Sequence, residues 1–141
     1  MKAAWILGAA MLLAPLSTGC ASRDLNRGMS AYEVGNYHQA AEQCERVDSG
    51  SLDERKQVRY FVYCGLSYYE LGDLDSARDY LTRGQHLYVE GEAPAADRAT
   101  WLKPLIVDQM NKALARMSGA AFEPAAYFAH EEDAQPAVGR R

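Results

Sequence analysis

One stretch of this chain repeats another. Gly28-Met-Ser-Ala-Tyr-Glu-Val-Gly35-Asn-Tyr-His-Gln-Ala40 lines up with Gly65-Leu-Ser-Tyr-Tyr-Glu-Leu-Gly72-Asp-Leu-Asp-Ser-Ala77 at a constant offset of 37 residues. Identity is kept at Gly28/Gly65, Ser30/Ser67, Tyr32/Tyr69, Glu33/Glu70, Gly35/Gly72, Ala40/Ala77 and Arg46/Arg83, and most positions between them are similar in kind. A fixed period of this length points to one supersecondary unit used twice. Gly35-Asn36 and Gly72-Asp73 are signals for a helix end followed by a turn. Gly28 and Gly65 fall inside helical segments. Glycine costs up to about 1 kcal/mol relative to alanine there, and it is tolerated where a neighbouring helix comes close. Ala40 and Ala77, early in the second helix, are small enough to pack on the first. Each unit is therefore expected to be a helix–turn–helix hairpin.

The pattern resembles the tetratricopeptide repeat (TPR). In the second unit Gly65, Tyr68, Gly72, Ala77 and Leu81 fall at the family's small and large signature positions. In the first, Gly28, Gly35, Tyr37 and Ala40 do so, with Cys44 where a large residue is usual. The family period is about 34 residues, so the loop Asp48-Ser-Gly-Ser-Leu-Asp53 is expected to absorb three extra. The resemblance covers roughly residues 21–90 and implies an all-α fold with units at about 21–48 and 54–90. It also implies a peptide- or helix-binding groove on the inner face of the first helices. By position, that groove is lined by Met29, Tyr32 and Glu33 in unit one, and by Arg59, Val62, Leu66, Tyr69 and Glu70 in unit two. The recurring Tyr–Glu pair suits a basic or apolar segment. The alternative for Tyr32 and Tyr69 is packing between the hairpins.

Beyond Tyr88, Val-Glu-Gly-Glu-Ala-Pro94 reads as a turn. A helical stretch over about 96–117 follows, with an apolar stripe at Leu102, Ile106, Met110, Ala113, Leu114 and Met117. Pro104 is expected to kink that helix or to start a new one. The stretch would cap the stack, since two hairpins alone leave an apolar face open. Residues 118–141 show no period, and most of them are expected to be disordered. Phe122, Tyr127 and Phe128 either fold back on the cap or dock a partner.

The first residues differ from all of this. Lys2 precedes an uncharged apolar run from Ala3 to Leu16. That is the layout of a secretory signal peptide, too short to span a membrane comfortably. Leu16-Ser17-Thr18-Gly19-Cys20 resembles the lipobox of bacterial lipoproteins, with the leucine four residues before the cysteine instead of three. The resemblance implies cleavage between Gly19 and Cys20, a mature chain from Cys20, and a thioether-linked diacylglyceryl group with a further acyl chain such as palmitate on the freed amine. Ala21, where a retention signal would place Asp, implies the outer membrane, on its periplasmic side.

Little else in the chain points to chemistry. His38, His86 and His130 have no partner at metal-ligand spacing, and there is no nucleophile elbow, phosphate loop or HExxH motif. Neither a cofactor nor a metal is expected, and the chain does not read as an enzyme. A net charge of −4 without a basic stripe argues against nucleic acid as a partner. Cys44 and Cys64 would sit in an oxidising compartment on neighbouring helices, so a disulfide is one alternative. A hairpin centred near residue 50 instead sets Cys44 opposite residue 57. That leaves Cys64 about 10 Å away, too far for a bridge, and the register favours two buried thiols.

The chain thus reads as a lipid-anchored adaptor that binds another envelope protein. By resemblance, such small repeat lipoproteins include pilotins and accessory components of pilus, gliding-motility, secretion and outer-membrane assembly machines. The alternative is a structural outer-membrane lipoprotein with no peptide-binding groove. Gly28 already holds an interior position, so the first helix should begin within a few residues of the lipid.

Overall fold

The computed structural model describes residues 18–119. Within them lie six α-helices, one short 3-10 turn and no strand, so the fold is all-α. Helices α1 (Thr18–Glu33) and α2 (Tyr37–Arg46) form one hairpin, and α3 (Glu54–Glu70) and α4 (Leu74–Glu90) form a second. A single turn, α5 (Ala95–Arg98), leads to α6 (Pro104–Ser118). Pro104 starts this last helix instead of kinking a longer one. Its fixed φ suits the first helical turn, where its missing N–H has no partner to lose.

The two hairpins turn in the same way because the repeated residues make the same bonds. Gly35 and Gly72 have φ of 80° and 81°, in the left-handed region that only glycine enters without cost. At the first turn the N–H of Gly35 donates to the Tyr32 carbonyl and that of Asn36 to the Ala31 carbonyl; at the second, Gly72 donates to Tyr69 and Asp73 to Tyr68. These paired bonds satisfy the last free carbonyls of each helix. Asn36 and Asp73 then cap the next helix, their side chains accepting from the N–H groups of Gln39 and Ser76. Asp53 caps α3 in the same manner through Lys56 N–H at 2.9 Å. Such a cap is worth about 1 kcal/mol.

Close packing explains the glycine inside α3. A Cβ on Gly65 would lie 2.6 Å from Leu81 Cγ, so the residue lets α4 approach with Leu81 fully buried. Helix α3 is the centre of the molecule and packs against α1, α2, α4 and α6. One apolar cluster joins its inner side to α1, α4 and α6 through Tyr32, Val62, Leu66, Leu81, Ile106 and Met110. A second joins its outer side to the start of α1 through Ala21, Leu25, Cys44, Val47, Leu52 and Cys64.

The connection between the hairpins corrects the expected register. Cys44 and Cys64 face one another with Cα atoms 5.8 Å apart and form a disulfide. The cause lies in unequal helix lengths: α1 has 16 residues and α2 only 10, so the first turns of α1 overhang the end of α2. The connecting segment packs on that overhang. Asp48 caps a 3-10 turn over Ser49–Ser51, and Val47 and Leu52 bury beside Ala21 and Leu25. The chain therefore travels about two helical turns beyond α2 before α3 comes back, which brings Cys64, not residue 57, level with Cys44. The Tyr60 hydroxyl donates to the Cys44 carbonyl at 3.3 Å on the same side.

The turn after α4 is held by two side chains. The Glu54 carboxylate accepts from the N–H groups of Glu92 (2.7 Å) and Ala93 (3.3 Å). The Arg98 guanidinium donates to the carbonyls of Tyr88, Val89, Gly91 and Ala93. An ionised fork on four carbonyls is a strong C-terminal cap.

Candidate functional site

Two regions carry the residues singled out from the sequence: the start of α1, and the inner face of α1 and α3. At the first, Gly19 and Cys20 lie in the opening turn of α1, and Cys20 is an exposed free thiol. Ala21 and Leu25, beside it on the helix, are buried in the outer cluster. Cys20 thus lies within α1 itself, with no tether between it and the packed body. Leu16 and Ser17 of the lipobox-like segment lie outside the described residues, as do Phe122, Tyr127, Phe128 and His130. No helix among the described residues is long and apolar enough to cross a membrane.

The inner face is not an open groove. The segment Trp101–Lys103 and helix α6 lie over it, so the groove expectation needs correcting residue by residue. Val62 and Leu66 are fully buried, and Tyr32 is nearly so. Tyr32 meets Tyr63 edge-on with ring centroids 5.6 Å apart, and its hydroxyl donates to Gln109 Oε1 on α6 at 3.1 Å. Burial raises its pKa above the usual phenol range, and the charge of Glu70 adds to this. Met29 and Tyr69 are partly buried against the same core. The Tyr69 side chain hydrogen-bonds the Arg116 guanidinium of α6, which raises the arginine's pKa further. Arg59 Nε donates to the Trp101 carbonyl at 2.9 Å. Glu70 alone of the set is exposed without a direct bond to the covering segment.

Glu33 is the most constrained polar residue here. Its Oε1 accepts from Lys103 Nζ at 2.5 Å and from the Tyr63 hydroxyl at 3.2 Å. The Lys103 bond holds its carboxyl below the usual range, with partial burial working against it and Tyr63 helping. Tyr63 in turn is pushed up to about 12, first by burial and then by the Glu33 charge. On either side of the Glu33–Lys103 pair a shallow cleft remains. One, of about 510 Å³, is bordered by Tyr32, Tyr37, Leu105 and Gln109. The other, of about 380 Å³, is bordered by Asn26, Met29, Arg59 and Trp101.

The physical reason for the covered face is area. Tyr32, Val62, Leu66 and Met29 form an apolar surface on two neighbouring helices, and the stripe of α6 is the apolar surface that fits it. Ile106, Met110 and Ala113 are buried there together with Trp101 and Leu102. Trp101, Lys103 and Gln109 were not singled out from the sequence. The first two sit in an irregular segment, where no period marks which side faces inward.

His38 and His86 are exposed, and His86 lies 3.3 Å from the Glu90 carboxylate. Among the described residues no group of His, Cys, Asp or Glu is placed to hold a metal ion. No family model matches the chain, and neither a curated protein nor a solved structure is significantly similar to it.

Proposed function

We propose that this chain is a lipid-anchored, non-enzymatic adaptor of the bacterial envelope, with a TPR-like helical body that faces the periplasm from the outer membrane. The carrying observation is the sorting of its three cysteines. Cys44 and Cys64 close on each other in the outer cluster, as suits an oxidising compartment. Cys20 is left over and exposed at the start of α1, directly after an apolar, signal-like run. An odd exposed thiol in an exported protein is a liability unless it is capped. A thioether to a diacylglyceryl group caps it, and two or more acyl chains give lasting attachment where a single one is marginal. The partner is an envelope protein, and nucleic acid is not proposed as one.

The covered inner face favours a second reading, a structural outer-membrane lipoprotein whose anchor matters more than any groove. The two are separated in cells. In the adaptor reading Cys20→Ala releases the protein from membranes, and Glu70→Lys, at the exposed position of the set, loses a crosslinked envelope partner while staying anchored. In the structural reading the inner-face variant behaves as wild type and only Cys20→Ala has a phenotype. A Cys20→Ala protein that stays in the membrane fraction and functions normally defeats both.

A further inference from the structure

The exposed side of α1 is the one on which the free Cys20 lies. At about 100° per residue, Cys20, Arg23, Arg27 and Ser30 fall within an arc of roughly 80° on this helix; Val34, one residue past its end and bonded through its N–H to the Ser30 carbonyl, continues the same side, and all five are exposed. Val34 is 80% exposed, the most open large apolar side chain among the described residues. A shallow depression of about 810 Å³ runs along this side from Arg23 to Val34, bordered also by Ser22, Asn26 and Gln39, and no acidic residue lines it. The nearest acids are already engaged. Asp24, at the edge of the arc, has a side chain only 20% exposed and lies 3.8 Å from Arg27. Glu33, at the other edge, is held by Lys103, and Glu42 on α2 pairs with Arg46 at 2.5 Å. Arg23 has no ion-pair partner among the described residues.

We infer that this side of α1 lies flat on a phospholipid surface, with Arg23 and Arg27 on headgroup phosphates and Val34 dipping between them. The inference rests on the lipid-anchor reading for its place at a membrane. Lipid on Cys20 fixes one point of α1 at the boundary between headgroups and acyl chains. Because Cys20 lies in the first turn of α1 without a tether, two orientations remain, upright or flat. Upright, Val34 stands about 21 Å from the anchor, its apolar side chain in water and both guanidinium groups tilted away from the phosphates. Flat, the whole arc meets the lipid. Guanidinium groups pair with phosphate oxygens in a planar fork while their alkyl stems lie along the apolar boundary. The flat orientation turns the Glu33–Lys103 clefts sideways, parallel to the membrane.

The test uses the mature chain from residue 20 with Cys20→Ser, so that binding is reversible and independent of lipidation. Its partitioning is measured on vesicles of phosphatidylglycerol mixed with phosphatidylcholine. The expected result is binding that weakens with salt and falls roughly 30-fold in Arg23→Gln/Arg27→Gln, at about a fivefold loss for each charge near the surface. Arg78→Gln/Arg83→Gln, on α4, should bind as the parent does. A fluorophore on Val34→Cys in the Cys20→Ser chain should be quenched by lipids carrying a quencher at the headgroup boundary. No binding to the anionic vesicles, an equal loss in the α4 control, or an unquenched Val34 probe overturns the flat orientation. Failure of the lipid-anchor reading shows elsewhere, as an unmodified Cys20 in protein isolated from cells.

Discussion

Replacing Cys44 and Cys64 together with alanine removes a covalent link between residues 20 apart in sequence. The bridge limits the unfolded chain by closing a loop of about that length. Chain-entropy reasoning puts this at about 3 kcal/mol at 25 °C. Both sulfurs lie in the buried outer cluster, and alanine leaves little void there, so the entropy effect should dominate. A domain of this size loses roughly 4–8 °C of Tm per kcal/mol, which gives a fall of about 12–24 °C. Thermal and urea unfolding of the oxidised protein and the double variant, followed by circular dichroism, measure it. The slope against urea should rise slightly in the variant, because an uncrosslinked unfolded chain exposes more surface. The native protein should give no alkylation at Cys44 or Cys64 without reductant. A difference under about 1 kcal/mol would show that the loop argument is wrong here. Alkylation of Cys44 in the untreated native protein would refute the register of α2 against α3.

Three further outcomes follow from the packing. Gly65→Ala should cost about 2 kcal/mol by overpacking, because its Cβ would meet Leu81 at 2.6 Å, whereas Gly28→Ala, with Gln43 Cβ at 3.3 Å, should be close to neutral; urea melts of the two variants compare them. Met110→Ala should cost about 2–5 kcal/mol, as Met110 is fully buried, and a loss below about 1 kcal/mol in the same melts would show that α6 is not part of the core. The lowered pKa of Glu33 means that its pairing stabilises the fold above the carboxyl's ordinary pKa and that this contribution disappears as pH falls through the folded value. With side chains 40% and 65% exposed, the effect should be well under about 1 kcal/mol. An NMR titration of Glu33 in wild type and Lys103→Met should show the pKa rising in the variant.

The hairpins were legible because their signals are local. Gly35 and Gly72 need a left-handed backbone, and Asn36 and Asp73 supply the next cap within four residues of it. A glycine inside a helical segment likewise marks Gly65 as a contact point, and the residue it meets is Leu81 on α4. The register of α3 was not legible in this way. It depends on how far α1 overhangs α2, and no turn residue encodes that difference; for the same reason the sequence leaves the Cys44–Cys64 disulfide as an alternative to two buried thiols. The stripe on α6 was visible as a period, yet a period shows that a helix has an apolar side and not which surface will meet it. Trp101 and Lys103, which cover Arg59 and Glu33, lie between helices where side-chain direction follows no repeat. The burial of Tyr32, Val62 and Leu66 beneath the chain's own last helix therefore emerges only in three dimensions.

The central claim is that Cys20 carries the protein's membrane anchor. Mass spectrometry of the N-terminal tryptic peptide, Cys20–Arg23, from protein extracted out of native envelope tests it most directly. The peptide should begin at Cys20 and bear a diacylglyceryl group on sulfur with an acyl chain on the amine. A peptide that runs uncut through Gly19–Cys20, or one that begins at Cys20 with a free thiol, would contradict it.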